Sequence, residues 1–131
     1  MLDQSNFQSN VSLLGRIFLS AIFIKSGVSK LLSPAQTQAY MASKGIPLTE
    51  VLLWATILVL IVGGLSVLLG YKSKIGACLL IGFLIPATVI FHGTFPEEEI
   101  AFFKNLGLMG GLLMILAFGS GKFSLEHYLK S

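Results

Sequence analysis

A run of 20 residues without a charged side chain, at positions 51–70, constrains the fold of this chain more than any other feature. Thr56 and Ser66 are its only polar side chains, so a helix over this run is apolar on every side. A helix of a soluble bundle instead carries a polar face opposite its apolar stripe. An α-helix needs about 20 apolar residues to cross ~30 Å of hydrocarbon. The run therefore predicts a membrane-spanning helix.

Three further stretches have the same character. They cover positions 11–32, 75–92 and 100–119, with 22, 18 and 20 residues. The first ends at Leu32, because Pro34 biases Ser33, the residue before it, away from helix. The longest connection, 33–50, has room for a short interfacial helix at 35–44. The sequence predicts an all-α integral membrane four-helix bundle, in one domain over residues 1–131, with both termini on one side.

The composition argues against several classes of protein and of site. Only 11% of the residues are charged, against about 25% in soluble domains, so a soluble monomer could not cover its surface with polar groups. No basic run accompanies the net charge of +3, and no nucleic-acid partner is expected. The single cysteine rules out an internal disulfide, and no metal-ligand spacing occurs.

The flanks of these stretches predict the topology. The segment before position 11 contains Asp3 and no base, which favours a retained first helix over a cleaved signal peptide. The termini share their side with four lysines, Lys72, Lys74, Lys122 and Lys130. Positive charge favours the cytoplasm. We expect a multi-pass protein of the cell (inner) membrane with cytoplasmic termini, and the lipid bilayer as its first partner.

The first stretch carries bases at membrane depth. At 100° per residue one face contains Arg16, Ser20, Phe23, Gly27 and Lys30. Ionisable groups in membrane helices usually face the bundle interior or a water-filled cavity. Snorkelling of both bases to the two membrane surfaces explains the pattern equally well.

A second set of polar residues comes together because successive membrane-spanning helices run in opposite directions. This arrangement places Lys30, His92, Lys104 and Asn105 at one end of the bundle. Together with Arg16 they form a candidate polar pocket for an anion, such as an oxidised sulfur species, or for a quinone head group. A salt-bridged lid between loops is an equal alternative. His92 could move a proton, although an interfacial histidine is the more ordinary interpretation.

Glycines predict where the helices approach closely. Small residues four apart allow this in membranes, as at Gly107 and Gly111 in the last stretch. Glycines also interrupt the first and second stretches, at Gly27, Gly63 and Gly64. These patterns predict packing, and no residue is assigned a catalytic role.

Several short motifs, taken in order, resemble the DoxX family. They are Gly15-Arg16-Ile17-Phe18, Phe23, Gly27, Lys30-Leu31, Gly63-Gly64-Leu65, Leu69-Gly70, Lys104-Asn105-Leu106, Gly110-Gly111, Gly119-Ser120-Gly121 and Ser124-Leu125-Glu126. Glu126 departs from the aspartate usual in that family. The resemblance implies a four-helix bundle in the cell membrane. It also implies a link to redox chemistry, since related archaeal proteins are subunits of a thiosulfate:quinone oxidoreductase that needs a second subunit.

Three functions remain open from the sequence. The first is a membrane subunit of a redox complex, linked to quinone or a sulfur compound, with no cofactor in the chain itself and with quinone as the candidate ligand. The second is a non-catalytic scaffold or assembly factor that binds a protein partner or a second copy of the chain. The third is a protein that binds small solutes or lipids.

Overall fold

The computed structural model describes residues 4–92, 99–121 and 124–130. The side chains of residues 4–6, 91, 92, 126, 127 and 130 lie outside the described part. Every regular element in these ranges is a helix: α1 Gln4–Leu32, α2 Pro34–Ser43, α3 Thr49–Leu69, α4 Ser73–His92, α5 Glu99–Phe118 and α6 Leu125–Lys130. The predicted all-α fold is confirmed.

Four of these helices are long and apolar enough to cross a membrane. The spans are Phe7–Leu32, Thr49–Leu69, Ser73–Ile90 and Glu99–Phe118, with mean hydropathies of 1.6, 2.6, 1.9 and 1.8. Their outer surfaces carry large apolar side chains, as at Phe18, Leu58 and Val89, which are 73%, 63% and 67% exposed. A surface of this kind fits hydrocarbon and not water. The four predicted membrane-spanning helices are therefore present.

The helix boundaries differ from the sequence prediction by at most two residues, except at the start of α1. α1 starts at Gln4, seven residues before position 11, although this extension is polar. Tertiary contacts hold it: Ser9 is buried, and Ser12 Oγ donates to the carbonyl oxygen of Ser120 at 3.2 Å. α2 starts at Pro34, one residue before the predicted 35–44 helix, because proline is well tolerated in a first turn.

The helices pack in the order α1, α3, α4, α5, with α2 against α3. α1 also reaches α5, where Leu19 Cδ2 lies 3.4 Å from the Cβ position of Gly111. The core between them is a cluster of buried residues: Phe23, Leu60, Val67, Ala77, Leu80, Leu84, Leu112 and Ile115. The bond from Ser12 to Ser120 joins the start of α1 to the end of α5. Both ends of the described chain thus lie on one side of the bundle.

Glycines set the separation of α1 and α3. A Cβ on Gly27 would lie 2.7 Å from Cγ1 of Ile61, and a Cβ on Gly64 would lie 2.7 Å from Cγ1 of Ile24. Each isoleucine therefore fills the space that a glycine of the other helix leaves open. On the other side of α3, a Cβ on Gly63 would lie 2.8 Å from Cγ of Leu80 in α4. Leu80 therefore fills the space beside this glycine. Small residues at these positions let membrane helices pack by van der Waals contact.

Candidate functional site

Arg16 lies at the end of the bundle that contains the chain termini. It is 2% exposed, and its Nη1 donates to the carbonyl oxygens of Val67 and Leu68 at 3.2 and 3.0 Å. Both carbonyls belong to the last turn of α3, whose carbonyl groups have no partner within the helix. That helix end also carries the negative pole of the macrodipole. The guanidinium therefore joins α1 to the C-terminal end of α3.

Serine hydroxyl groups form further hydrogen bonds at the end of the bundle that contains the chain termini. The side chains of Ser73 and Ser120 are hydrogen-bonded to each other, which joins the start of α4 to the residues after α5. Ser66 Oγ donates towards the carbonyl oxygens of Tyr71 and Lys72, at 2.7 and 3.0 Å. These bonds satisfy backbone groups in the turns. The termini end of the bundle is therefore a structural polar cluster.

A cavity of about 570 Å³ lies toward the opposite end of the bundle. Five helices, α1 to α5, contribute to its wall. Its polar lining consists of Ser26, Ser29, Lys30, Ser33, Gln36, Thr37, Tyr40, Thr56, Lys104 and Asn105. Its apolar lining consists of Ile22, Phe23, Met41, Leu53, Leu60, Phe83, Leu84, Ala87 and Leu108. An apolar pocket of this size with a few convergent polar groups is typical of small-molecule sites.

Hydrogen bonds fix part of the polar lining. Lys30 is half-buried, and its Nζ donates to Ser26 Oγ at 2.9 Å. Asn105 is 7% exposed, and its Nδ2 donates to Oγ1 of the buried Thr88 at 3.0 Å. Lys104 is exposed at the edge of the cavity. The cavity therefore combines a cation held in place on α1 with polar groups of α5.

The structure brings together three of the five predicted pocket residues. Lys30, Lys104 and Asn105 line one cavity. Arg16 does not, because it lies 14 residues, or about 21 Å of helix, from Lys30 along α1. His92 ends α4, and its side chain lies outside the described residues.

Sequence reasoning missed the hydroxyl groups of the cavity. Ser26, Ser29 and Ser33 line it beside Lys30. Their spacing of three and four residues places them along one helical face, and this signal was present in the sequence. Thr37 and Tyr40 could not be found in this way, because they reach the cavity only through the docking of α2.

The predicted packing glycines divide into two groups. Gly27, Gly63 and Gly64 are buried at close helix contacts, and Gly111 lies near Leu19. A Cβ on Gly107 would meet no atom within 4 Å, so Gly107 is not at a close helix contact among the described residues.

Within the described residues no group of three His, Cys, Asp or Glu side chains could hold a metal.

Replacing Asn105 with leucine is expected to lower the free energy of unfolding by about 1 to 2 kcal/mol, because Thr88 Oγ1 would lose its donor while remaining buried. The measurement is the melting temperature of the purified protein in detergent. The variant Asn105→Leu/Thr88→Val removes both partners and should recover part of the loss. If the double variant lost as much stability as the two single variants together, Asn105 and Thr88 would not be hydrogen-bonded to each other.

Comparison with known proteins identifies the family. The family model named DoxX matches residues 11–93. The chain belongs to the DoxX family. The matched range spans α1 to α4, so that Lys104 and Asn105 of the cavity lie beyond it.

Two relatives align over most of their length. The inner membrane protein YqjF of Escherichia coli strain K12 is 34% identical over 119 residues, which are 89% of this chain and 90% of that protein. The inner membrane protein YphA of the same strain is 27% identical over 122 residues, 88% and 87% of the two chains. No solved structure matches the chain. With its four spans, the chain is a multi-pass protein of the inner membrane.

Proposed function

We propose that this chain is the membrane subunit of a redox complex and that its cavity holds the head group of a quinone. The observation that carries the proposal is the composition of the cavity wall. Hydrogen-bond donors of Lys30, Lys104 and Asn105 lie beside an apolar surface formed by two phenylalanines, four leucines and Ile22. A quinone has the matching parts, which are carbonyl oxygens that accept hydrogen bonds and an apolar ring with an apolar tail.

The donors suit the carbonyl oxygens of a quinone. A lysine ammonium group has three N–H donors, and Lys30 uses one of them on Ser26. Asn105 is held by Thr88, so its amide is fixed before a ligand binds. Groups that are already oriented need little ordering when a ligand arrives.

Electrons must come from another protein in this proposal. Lysine, asparagine and hydroxyl side chains bind and orient a quinone, but they do not exchange electrons. The chain therefore acts with a partner that carries a redox centre, and its own contribution is to hold the quinone at a fixed depth in the bilayer. A sulfur compound oxidised by such a partner would supply the electrons.

Narrowing the cavity is expected to weaken quinone binding. Ala87 of α4 is half-buried in the cavity wall, whereas Ala55 of α3 is exposed on the outer surface of the bundle. Ala87→Phe should weaken the binding of decylubiquinone at least tenfold in a calorimetric titration of the detergent-solubilised protein, because the phenyl ring occupies the cavity. Ala55→Phe is the matched control and should bind as the wild type does. Equal affinities for the two variants would exclude the cavity as the quinone site.

Purification in mild detergent tests the redox complex itself. A stoichiometric redox enzyme that accompanies the chain, and that reduces quinone with a sulfur compound as donor, would support the proposal. A clean preparation without such activity, even after candidate partners are added, would contradict it. A stoichiometric partner without a redox centre would favour the scaffold function instead.

A further inference from the structure

The side of the bundle between α1 and α5 is open at the level of the cavity. Toward the termini end the two helices touch, where Leu19 approaches Gly111. Nearer to Lys30 they are not a closely packed pair, and both line the cavity instead. Ser29 of α1 and Lys104 of α5 are lining residues with exposed side chains, and Ser33, Gln36 and Tyr40 at and beside α2 are exposed lining residues as well. The cavity is therefore accessible along the α1–α5 side and beside α2, near the ends of the membrane-spanning helices.

The cavity is positively charged. Lys30 and Lys104 both line it, and no Asp or Glu is present among the described lining residues. Lys30 is half-buried, with a neutral hydroxyl as its bonded partner. Partly burying an ammonium group is unfavourable unless an anion is near. A ligand with a negative charge would offset that cost, and the hydroxyls of Ser26, Ser29 and Ser33 add hydrogen-bond donors for it.

The deeper part of the cavity is apolar. Ile22, Phe23, Phe83 and Leu108 form much of the wall below the lysines. The volume of about 570 Å³ is in the range of pockets that enclose molecules much larger than an inorganic anion. The site thus suits a ligand with an anionic head and an apolar chain.

We infer that the cavity binds an anionic amphiphile of the bilayer, whose carboxylate or phosphate lies between Lys30 and Lys104 while its chain enters through the opening between α1 and α5. The inference rests on the cavity used in the proposed function and concerns how that site is regulated. An anionic lipid in this position would compete with quinone for one space. Quinone access would then depend on the lipid composition of the membrane.

The test compares two pairs of lysine substitutions with the same loss of charge. Lys30→Met/Lys104→Met removes the two cavity cations, and Lys25→Met/Lys44→Met removes two exposed lysines that do not line the cavity. The probe is oleate, with oleyl alcohol as the neutral comparison, titrated into the full-length protein in a non-ionic detergent. We expect oleate to bind the cavity variant at least tenfold more weakly than the wild type. The control pair should remain within about twofold.

Two further arms complete the test. Phosphatidylglycerol and phosphatidylcholine in nanodiscs replace the fatty acid, and retention of the first alone would identify a phosphate head as the natural source of the charge. Lys30→Arg/Lys104→Arg keeps both charges and should keep the binding, even if the methionine pair folds poorly. Equal affinity for oleate and oleyl alcohol in the wild type would overturn the inference. Equal weakening by the two methionine pairs would overturn it as well.

The two proposals can fail separately. Decylubiquinone is neutral, and its binding is measured independently of oleate. Charge-dependent oleate binding without quinone binding would remove the proposed redox function and leave the anion site. Quinone binding without any preference for oleate over oleyl alcohol would leave the redox function and remove the anion site.

Discussion

Replacing Arg16 with methionine is expected to lower the melting temperature of the detergent-solubilised protein by roughly 10 °C. The substitution removes two hydrogen bonds from a charged donor to the carbonyl oxygens of Val67 and Leu68. Each bond of this kind contributes about 1.5 to 3 kcal/mol, and such terms are not fully additive. A loss of about 3 kcal/mol corresponds to roughly 10 °C in a domain of this size. The contact between α1 and the C-terminal end of α3, to which these two bonds contribute, should weaken as well.

Lys25→Met provides the matched control for this substitution. It also removes one positive charge from α1, but Lys25 is exposed. Surface substitutions of this kind change the free energy of unfolding by less than about 0.5 kcal/mol. The melting curves should therefore separate the two variants clearly. A similar melting temperature for both would show that Arg16 does not stabilise the end of α3.

Enlarging Gly27 to leucine is expected to destabilise the bundle by about 2 to 3 kcal/mol. The first added carbon would already lie 2.7 Å from Ile61 Cγ1 and 3.2 Å from Leu60 Cβ. Forcing extra carbons into a packed contact commonly costs about 1 to 3 kcal/mol, and here α1 and α3 must separate. Leucine is the better helix former by about 0.8 kcal/mol, so the steric term is the larger one. The readouts are the melting temperature and the fraction of folded protein after size-exclusion chromatography.

Gly82→Leu on α4 is the control for the glycine substitution. A Cβ at Gly82 would meet no atom within 4 Å, and the position is exposed. The same chemical change should leave the stability unchanged or slightly higher. Equal melting temperatures for Gly27→Leu and Gly82→Leu would show that α1 and α3 do not approach closely at Gly27.

The membrane bundle could be predicted from the sequence because its signal is local. The stretch of α3 has no charge over 20 residues, and no tertiary contact is needed to recognise it. Helical spacing also places Arg16, Ser20 and Phe23 on one face of α1, although only the structure shows that this face is buried. Hydropathy does not predict the polar start of α1, where Ser9 is buried only by contacts made in the folded bundle.

The candidate site could be predicted only in part. Antiparallel threading fixes which residues share an end of the bundle, so Lys30, Lys104 and Asn105 could be grouped. It does not fix which neighbouring groups a side chain contacts. The sequence therefore assigns Arg16 to the pocket, whereas in the structure it contacts the end of α3. The role of α2 in the cavity wall depends on Met41 packing against Leu53 and Ile57, which no local pattern shows.

Native mass spectrometry of protein extracted from its own membrane tests most directly whether the cavity is a ligand site. The wild type and Ala55→Phe should each carry one membrane-derived amphiphile, a quinone or an anionic lipid, identified by its mass after release. Ala87→Phe should carry much less of it, because the phenyl ring occupies part of the same space. Equal retention in all three proteins, or none in any of them, would contradict the assignment of the cavity as a binding site.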